Sequence, residues 1–365
     1  MTSRTSPPPS DATDTTSAPA EVELWHGRLS LPATTVTGYS LEVRDPAGGG
    51  HLGDRVRRAV FQDLLEAWRD QFAAMGVDPF GRTSTTALRQ GRLDTMLQHG
   101  GPPAAILRAA AEDYALQFAD VVRRFLRQKG WRGVERIIVG GGFQDTALGR
   151  LAIGRAGELL ARDKAGVYLR SLHHDPDEGG LVGWAHVIPP SLLQGRDALL
   201  AVDIGGTNVR CGIVRLHRRL APDFSASEVV EHDKWGHADD AEVGGREDLV
   251  EGVADMLCRL IAIARRRRIA LAPFVGVSCP GQVRADGSIA GGAQNLPGNW
   301  ESNRFHMPSG LEARLPAWRG EPFRVLMHND AVVQGLSEMP YMTDVDRWAV
   351  LTVGTGLGNA SFCNR

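Results

Sequence analysis

Three groups of residues in the second half of the chain have types and spacings suited to handling a phosphate. The run Asp203-Ile204-Gly205-Gly206-Thr207 follows an apolar stretch over 199–202. Asp203 can hold a hydrated Mg²⁺, Gly205 and Gly206 allow close backbone approach, and Thr207 offers a hydroxyl to a phosphate oxygen. A second glycine turn, Gly354-Thr355-Gly356-Leu357-Gly358, follows the apolar run WAVLTV close to the last residue. Between the two lies Asn329-Asp330, where a strand gives way to a helix and a carboxylate at the strand's C-terminal end could take a proton from a substrate hydroxyl. Each feature has an ordinary alternative. Gly-Gly is a common hairpin dipeptide, and an Asn-Asp pair at a helix start is an N-cap that stabilises by about 1 kcal/mol.

The elements that must position these groups follow from periodicity. Residues 198–216 read as strand, tight turn, strand, with Val209, Cys211 and Ile213 alternating on the way out. Because a strand follows the glycines, neither a Walker loop nor a dinucleotide fingerprint fits, and phosphate would meet hairpin N–H groups. A helix over about 246–264 puts Leu249, Val253, Leu257 and Leu260 on one face and ends in the run Arg265 to Arg268, a solvated end that complements the macrodipole. FVGVSCPGQV is a strand ending at Ser278-Cys279-Pro280-Gly281, and GGAQNLPGNW is a loop carrying Asn295. Such loops line ligand crevices in open α/β sheets, and Asn295 can donate and accept hydrogen bonds to a polyol, although Asn before Leu-Pro-Gly is also an ordinary turn former. Residues 323–327 read as the strand that leads into the helix near Asp330.

Composition narrows the function classes. At 365 residues and 42% hydrophobic content the chain can bury a large core in two lobes. A formal charge of -2 gives no broad reason to bind nucleic acid or anionic lipid, so small neutral or anionic substrates are expected. Residues 1–20, rich in Ser, Thr, Pro and Ala, read as a disordered tail without a signal-peptide run. No stretch approaches the roughly 18 apolar residues of a membrane span, and the cytoplasm is the expected location. Cys211, Cys258, Cys279 and Cys363 lack C-x-x-C spacing, which argues against a disulfide framework or a cysteine zinc site.

Taken jointly and in order, DIGGTNVR, SCPGQV, NLPGNW, HNDA and GTGLG resemble the ROK family of bacterial sugar kinases and sugar-responsive repressors, within the actin-like ATPase superfamily. The resemblance implies an α/β, two-lobed, ribonuclease H-like fold with ATP and sugar bound between the lobes. By position it makes Asp330 the catalytic base, Asn329, Asn295 and Gly281 sugar-binding residues, Asp203 to Thr207 the first phosphate segment with Asp203 holding Mg²⁺ indirectly, and Gly354, Thr355, Gly356 and Gly358 the second.

Ordinary members continue past the second phosphate segment into a zinc-binding stretch, a long helix and an adenosine-binding strand and turn. Here a matching succession stands in the first half. Residues 105–127 place Leu107, Ala111, Tyr114, Phe118, Val121 and Phe125 at steps of four and three. There follow a strand over 137–139, the turn Gly140-Gly141-Gly142, a helix, the strand AGVYLRSL and the glycine-led DPDEGGLVGWAHV. The chain therefore resembles a circularly permuted member, with Gly140 to Gly142 flanking adenosine and IPPSLLQGRD over 188–197 as the joint. The expected division is an adenosine-side lobe over 21–185 completed by 346–365, and a phosphate- and sugar-binding lobe over 186–345. Residues 21 to about 50 would supply partner strands, with EVELWHGRLSLPATTV the best candidate.

The resemblance has a gap. No histidine–cysteine zinc motif is found, so no zinc is expected; His51 in GGGHLGD is the nearest echo of a sugar-contacting segment, and an exposed loop histidine is the favoured reading. The expected activity is ATP-dependent phosphorylation of a hexose or related sugar hydroxyl, glucokinase-like, with ATP and Mg²⁺; the alternative is a catalytically inactive sugar sensor of the same family. A helix over about 54–75, with Val56, Val60, Leu64, Trp68 and Phe72, has no basic recognition partner, which argues against nucleic-acid binding. Expected partners are a small-molecule sugar and no membrane, with a homodimer compatible with the family.

Overall fold

The computed structural model describes residues 25–46 and 48–365, and the tail expected over 1–20 lies outside them. The chain is mixed α/β with two five-stranded sheets. The first half supplies β1 (Thr34–Tyr39), α1 (Arg58–Ala74), α2 (Gln90–His99), α3 (Gly101–Phe125), β2 (Arg136–Gly140), α4 (Ala147–Arg162), β3 (Tyr168–Ser171) and the short α5 (Gly179–Val182). The second half supplies β4 (Ala198–Ile204), β5 (Val209–Arg215), β6 (Glu228–Trp235), α6 (Arg246–Arg266), β7 (Leu271–Cys279), α7 (Met307–Glu312), β8 (Arg324–Asn329), α8 (Asp330–Ser337), β9 (Arg347–Val353) and β10 (Leu357–Asn364).

One sheet runs β1-β10-β9-β2-β3 and the other β6-β5-β4-β7-β8. Both pair antiparallel, antiparallel, parallel, parallel across those orders. In pairing, β9, β10, β1, β2 and β3 thus correspond to β4, β5, β6, β7 and β8. The central strands explain themselves: β7 is buried at every residue and β4 at all but Asp203, as expected of continuous apolar runs covered on both faces.

Helices cover the outer faces. All six stripe residues of α3 are buried, packing with α1 and α4 over the first sheet, and Leu249, Val253, Leu257 and Leu260 of α6 pack over the second. Helix α8 lies between the sheets: Val332 and Leu336 join the inner core of the first and Val333 that of the second. The four cysteines are free, and no helix among the described residues is long and apolar enough to cross a membrane.

Three expectations need correction. The helix expected from residue 54 starts at Arg58, after a 3-10 turn over Leu52–Arg55, and its deepest residues are Phe61 and Leu65, one position on from the stripe read in the sequence. Its apolar face is wide, and Val60, Leu64, Trp68 and Phe72 sit half-buried on its shoulder. Of the candidate partner segment over 21–36, residues 21–24 lie outside the described residues, and β1 takes up only its last residues from Thr34, after Pro32, which cannot donate to a ladder. Residues 26–28 instead dock on the other sheet. The Gly27 N–H donates to the Met327 carbonyl (3.0 Å), the Met327 N–H donates to His26 Nδ1 (3.0 Å), and His328 Nε2 donates to the Arg28 carbonyl (3.0 Å). One segment therefore ties the edge of β8 to β10 through β1. Burial holds His328 neutral, its pKa lowered to about 4, and its Nδ1 accepts from the Asn329 N–H (2.7 Å).

Candidate functional site

A cavity of about 420 Å³ opens between the two sheets. That size falls in the range of small-ligand pockets. Asp203, Gly205, Gly206, Thr207, Gly281, Asn295, Asn329, Asp330, Gly141, Gly142, Gly354, Thr355, Gly356 and Gly358 all line it. Residues from separate stretches of the chain are thus brought to one place. Gly140 is the exception: it ends β2 buried, packed against the side chain of Gln334.

The β4–β5 turn is closed by the Gly205 N–H donating to the Asn208 carbonyl (2.9 Å), and His237 Nε2 donates to the Gly205 carbonyl (2.9 Å) from behind. The β9–β10 turn is closed by the Gly354 N–H donating to Gly356 (2.9 Å), and its Gly354 carbonyl accepts from Arg58 at the start of α1 (3.1 Å). The two turns abut. A Cβ placed on Gly206 would sit 3.5 Å from Thr355 Cβ and 3.3 Å from Asn295 Cβ, so either turn leaves room for the other.

Asn329 is the N-cap of α8, its Oδ1 accepting from the Val332 N–H (3.2 Å), while its Nδ2 donates to the Gly281 carbonyl (3.0 Å). This divides the roles that the sequence left together in the Asn-Asp pair: Asn329 caps the helix and its amide also donates toward the Asp330 carboxyl, leaving a lone pair for a ligand. Asp330 occupies the first helical position, with Oδ1 accepting from the Ala331 N–H (2.8 Å), and it lines the cavity. Gly281 adopts φ +96°, and a Cβ there would meet the Gly291 carbonyl oxygen at 2.5 Å, which explains the glycine after Pro280.

Burial raises the Asp330 carboxyl to about 7, with the charge of Asp203 adding to it. Burial also raises Asp203, against the opposing pull of Arg210 at 3.5 Å and with a further push from Asp177. Arg210 is itself held by Asp177 (2.6 Å), which also binds Lys234 (2.6 Å). Two carboxylates and an arginine therefore face the cavity beside the first glycine turn. Oxygen donors of this kind suit Mg²⁺, which keeps several of its waters; among the described residues no group of three His, Cys, Asp or Glu forms a tighter cage.

Some cavity residues went unread in the sequence. Arg210 lies inside DIGGTNVR, where alternation along β5 and its pairing with Asp203 turn it toward the cavity. Gln334 lies one helical turn after Asp330, on the same face of α8. On the first-sheet side, His51 lines the cavity near Glu42 (3.7 Å), with Asp54 and Arg57 close by in the chain. The exposed-loop reading of His51 thus holds for its surroundings but misses the wall it forms.

No family model matches the chain, and no curated protein matches it. Among solved structures, it is similar to a proposed N-acetylmannosamine kinase from Listeria monocytogenes (24% identity, 46% of this chain and 47% of that one, TM-score 0.32). It is also similar to a proposed sugar kinase from Cytophaga hutchinsonii (20%, 45% and 47%, TM-score 0.32) and to an exopolyphosphatase from the same organism (18%, 47% and 51%, TM-score 0.27). The chain spans about half the length of each of these proteins, and the functional reading rests on the residues of the cavity itself.

Proposed function

We propose that this chain is an ATP-dependent kinase of a hexose or related sugar, built on an actin-like ATPase frame in circularly permuted order. One observation carries the reading: two glycine hairpins, one from each sheet, meet at Gly206 and Thr355 over a cavity that Asp330 lines. The matched pairing of the two sheets supports the permuted frame, with 21–185 and 346–365 forming one lobe and 186–345 the other.

In this reading the N–H groups of the two turns hold the phosphates, Gly141 and Gly142 flank adenosine, and Gly140 makes room behind them. Asn295, Asn329 and the Gly281 loop orient the sugar. Asp203 would hold hydrated Mg²⁺, which neutralises charge on the transferring phosphate when bound. The sugar hydroxyl donates its proton to Asp330 as its oxygen bonds to the terminal phosphorus and the bond to the ADP oxygen breaks; the proton later passes to solvent. A base near pH 7 is well matched to that task, because it is both ionised and able to hold the proton. Arg210 adds positive charge beside the first turn. Excluding water as the lobes close would complete the positioning.

A coupled ADP-release assay across hexoses and amino sugars tests the proposal. Sugar-dependent ADP release is expected. Thermal stabilisation by a sugar without any ADP release would replace the kinase by a sugar sensor, and neither response to any sugar would sink both.

A further inference from the structure

The first glycine turn leaves its amides open. Gly206, Thr207 and Asn208 line the cavity, and among the described residues none of their three N–H groups donates to another group of the chain. Successive amides without acceptors at the edge of a cavity are suited to an anion.

The carbonyls of the same turn are held from the opposite side. The Gly205 carbonyl accepts from His237 Nε2 (2.9 Å), and the Thr207 carbonyl accepts from the Ala238 N–H (3.3 Å). Both donors sit in the 3-10 turn His237–Asp239 that follows β6, and neither residue lines the cavity. No peptide bond among the described residues is cis, and in a trans peptide the N–H points opposite to the carbonyl of the residue before it. Holding the Gly205 and Thr207 carbonyls therefore turns the Gly206 and Asn208 N–H groups away from His237 and Ala238, on the side where the turn borders the cavity.

His237 is itself firmly placed. It is 3% exposed, and the Trp235 ring meets it edge-on with 6.1 Å between centroids. A carbonyl only accepts, so the bond to Gly205 keeps a proton on Nε2. The second turn has the same arrangement with a backbone donor: the Arg58 N–H holds the Gly354 carbonyl (3.1 Å), which turns the Thr355 N–H the opposite way. In pairing, β1 flanks its hairpin as β6 flanks the other, so each turn is braced by the segment after the flanking strand. Glycine turns are conformationally loose, whereas donors fixed in advance need no reorganisation when a charge arrives.

We propose that His237 is a positioning residue of the candidate phosphate site, bracing the first turn so that its free amides meet the phosphates of a nucleotide. The inference rests on reading that turn as a phosphate turn, and it adds a residue that stands behind the cavity wall. His237 acts through the Gly205 peptide and touches neither the substrate nor the transferred proton.

Calorimetric titration of the full chain with ATP and Mg²⁺, and separately with tripolyphosphate, tests it. His237→Leu keeps an apolar bulk and removes the donor, and both affinities are expected to fall about tenfold or more, the worth of one hydrogen bond to a charged group. His237→Gln offers an amide N–H at a similar reach and is expected to bind both within about threefold of the parent. Affinities within about twofold of the parent in His237→Leu overturn the proposal, as does a His237→Gln no better than His237→Leu, or a parent that takes up neither probe. If thermal melting finds His237→Leu unfolded, His237→Asn decides: its amide stops short of the Gly205 carbonyl, so parental affinity there overturns the proposal. Lost affinity in His237→Leu, alongside a parent that phosphorylates no sugar, would sink the kinase reading and keep the braced phosphate turn. A parent that releases ADP on a sugar, with ATP affinity unchanged in His237→Leu, does the reverse.

Discussion

The two sheets have the same pairing and opposite chemistry. In each, the first two strands of the scheme form a hairpin whose glycine turn reaches the cavity: β4–β5 in one and β9–β10 in the other. One residue pair back from each turn, the second sheet sets Asp203 opposite Arg210, where the first sets Thr352 opposite Gly358. At the end of the fourth strand, one carries Cys279-Pro280-Gly281 and the other Gly140 to Gly142. At the end of the fifth, one carries Asn329-Asp330 and the other Leu172-His173. The shared backbone scheme delivers two phosphate-sized turns, whereas every carboxylate of the candidate catalytic group comes from one wall. Where the walls meet at Gly206 and Thr355, the strand-borne residues of one are neutral and those of the other acidic, although Glu42, Asp54 and Arg57 also line the first; one side can cradle a polyanion while the other holds a cation and a base.

The sharpest way to break this contrast is Asp330→Asn. Turnover is expected to fall by on the order of 10² to 10⁴, read by ADP release with the preferred sugar. Stability should move the other way. The folded protein holds the Asp330 proton up to about pH 7 while the unfolded chain releases it near the ordinary value of 3.8, so ionising it disfavours the folded state. In metal-free buffer the variant should melt as the parent does below pH 4, gain over it progressively between 4 and 7, and keep that gain above. A variant that loses stability at neutral pH would mean that the carboxylate serves only the helix start.

Next in size is Asp203→Asn. Weaker cation holding should cost about 10- to 100-fold in turnover, partly recovered at high Mg²⁺. An unchanged Mg²⁺ requirement would move the cation away from the acidic wall. The corresponding change on the neutral wall, Thr352→Val, removes one hydroxyl beside the second turn. It is expected to alter the KM for ATP by about fivefold or less, the worth of one uncharged hydrogen bond. A larger loss there than at Asp203 would reverse the assignment of the two walls.

How much of this was legible depended on whether a residue's neighbours lay nearby in the chain. Asp203, Gly205 and Gly206 sit in their own hairpin, and Asp330 at its own strand–helix junction, so local pattern placed them. The α3 stripe was legible because a helix carries its period within itself. The docking of His26 to Arg28 on β8 was not, since its partners, the Met327 backbone and the His328 ring, lie some 300 positions away. Gln334 was missed for a related reason. A single polar residue in an apolar helix has meaning only once β2 and α5 are packed around it. The candidate partner segment over 21–36 overlaps β1 only from Thr34, because Pro32 lacks the N–H that a ladder needs.

The smallest expected effect belongs to chain order. The Arg365 N–H donates to the Ala33 carbonyl (3.1 Å), and β10 and β1 are antiparallel neighbours, so the two ends of the first sheet already lie side by side. A rearranged chain running 195–365 and then 1–194 deletes nothing. Its new join is bridged by residues 1–24, whose extended reach of about 80 Å is ample. Its new ends fall at Gln194 and Gly195, both exposed and just beyond the turn over Pro190–Leu193. Every strand pair survives, so the melting temperature should stay within a few degrees and ADP release within a few-fold of the parent. Refolding should quicken, because Arg136 and Trp348, paired across β2 and β9, come closer along the chain when β9, β10, β1, β2 and β3 follow in order. A rearranged chain that fails to unfold cooperatively would show that the order of the strands is part of what holds the first sheet together, and the permuted reading would fall with it.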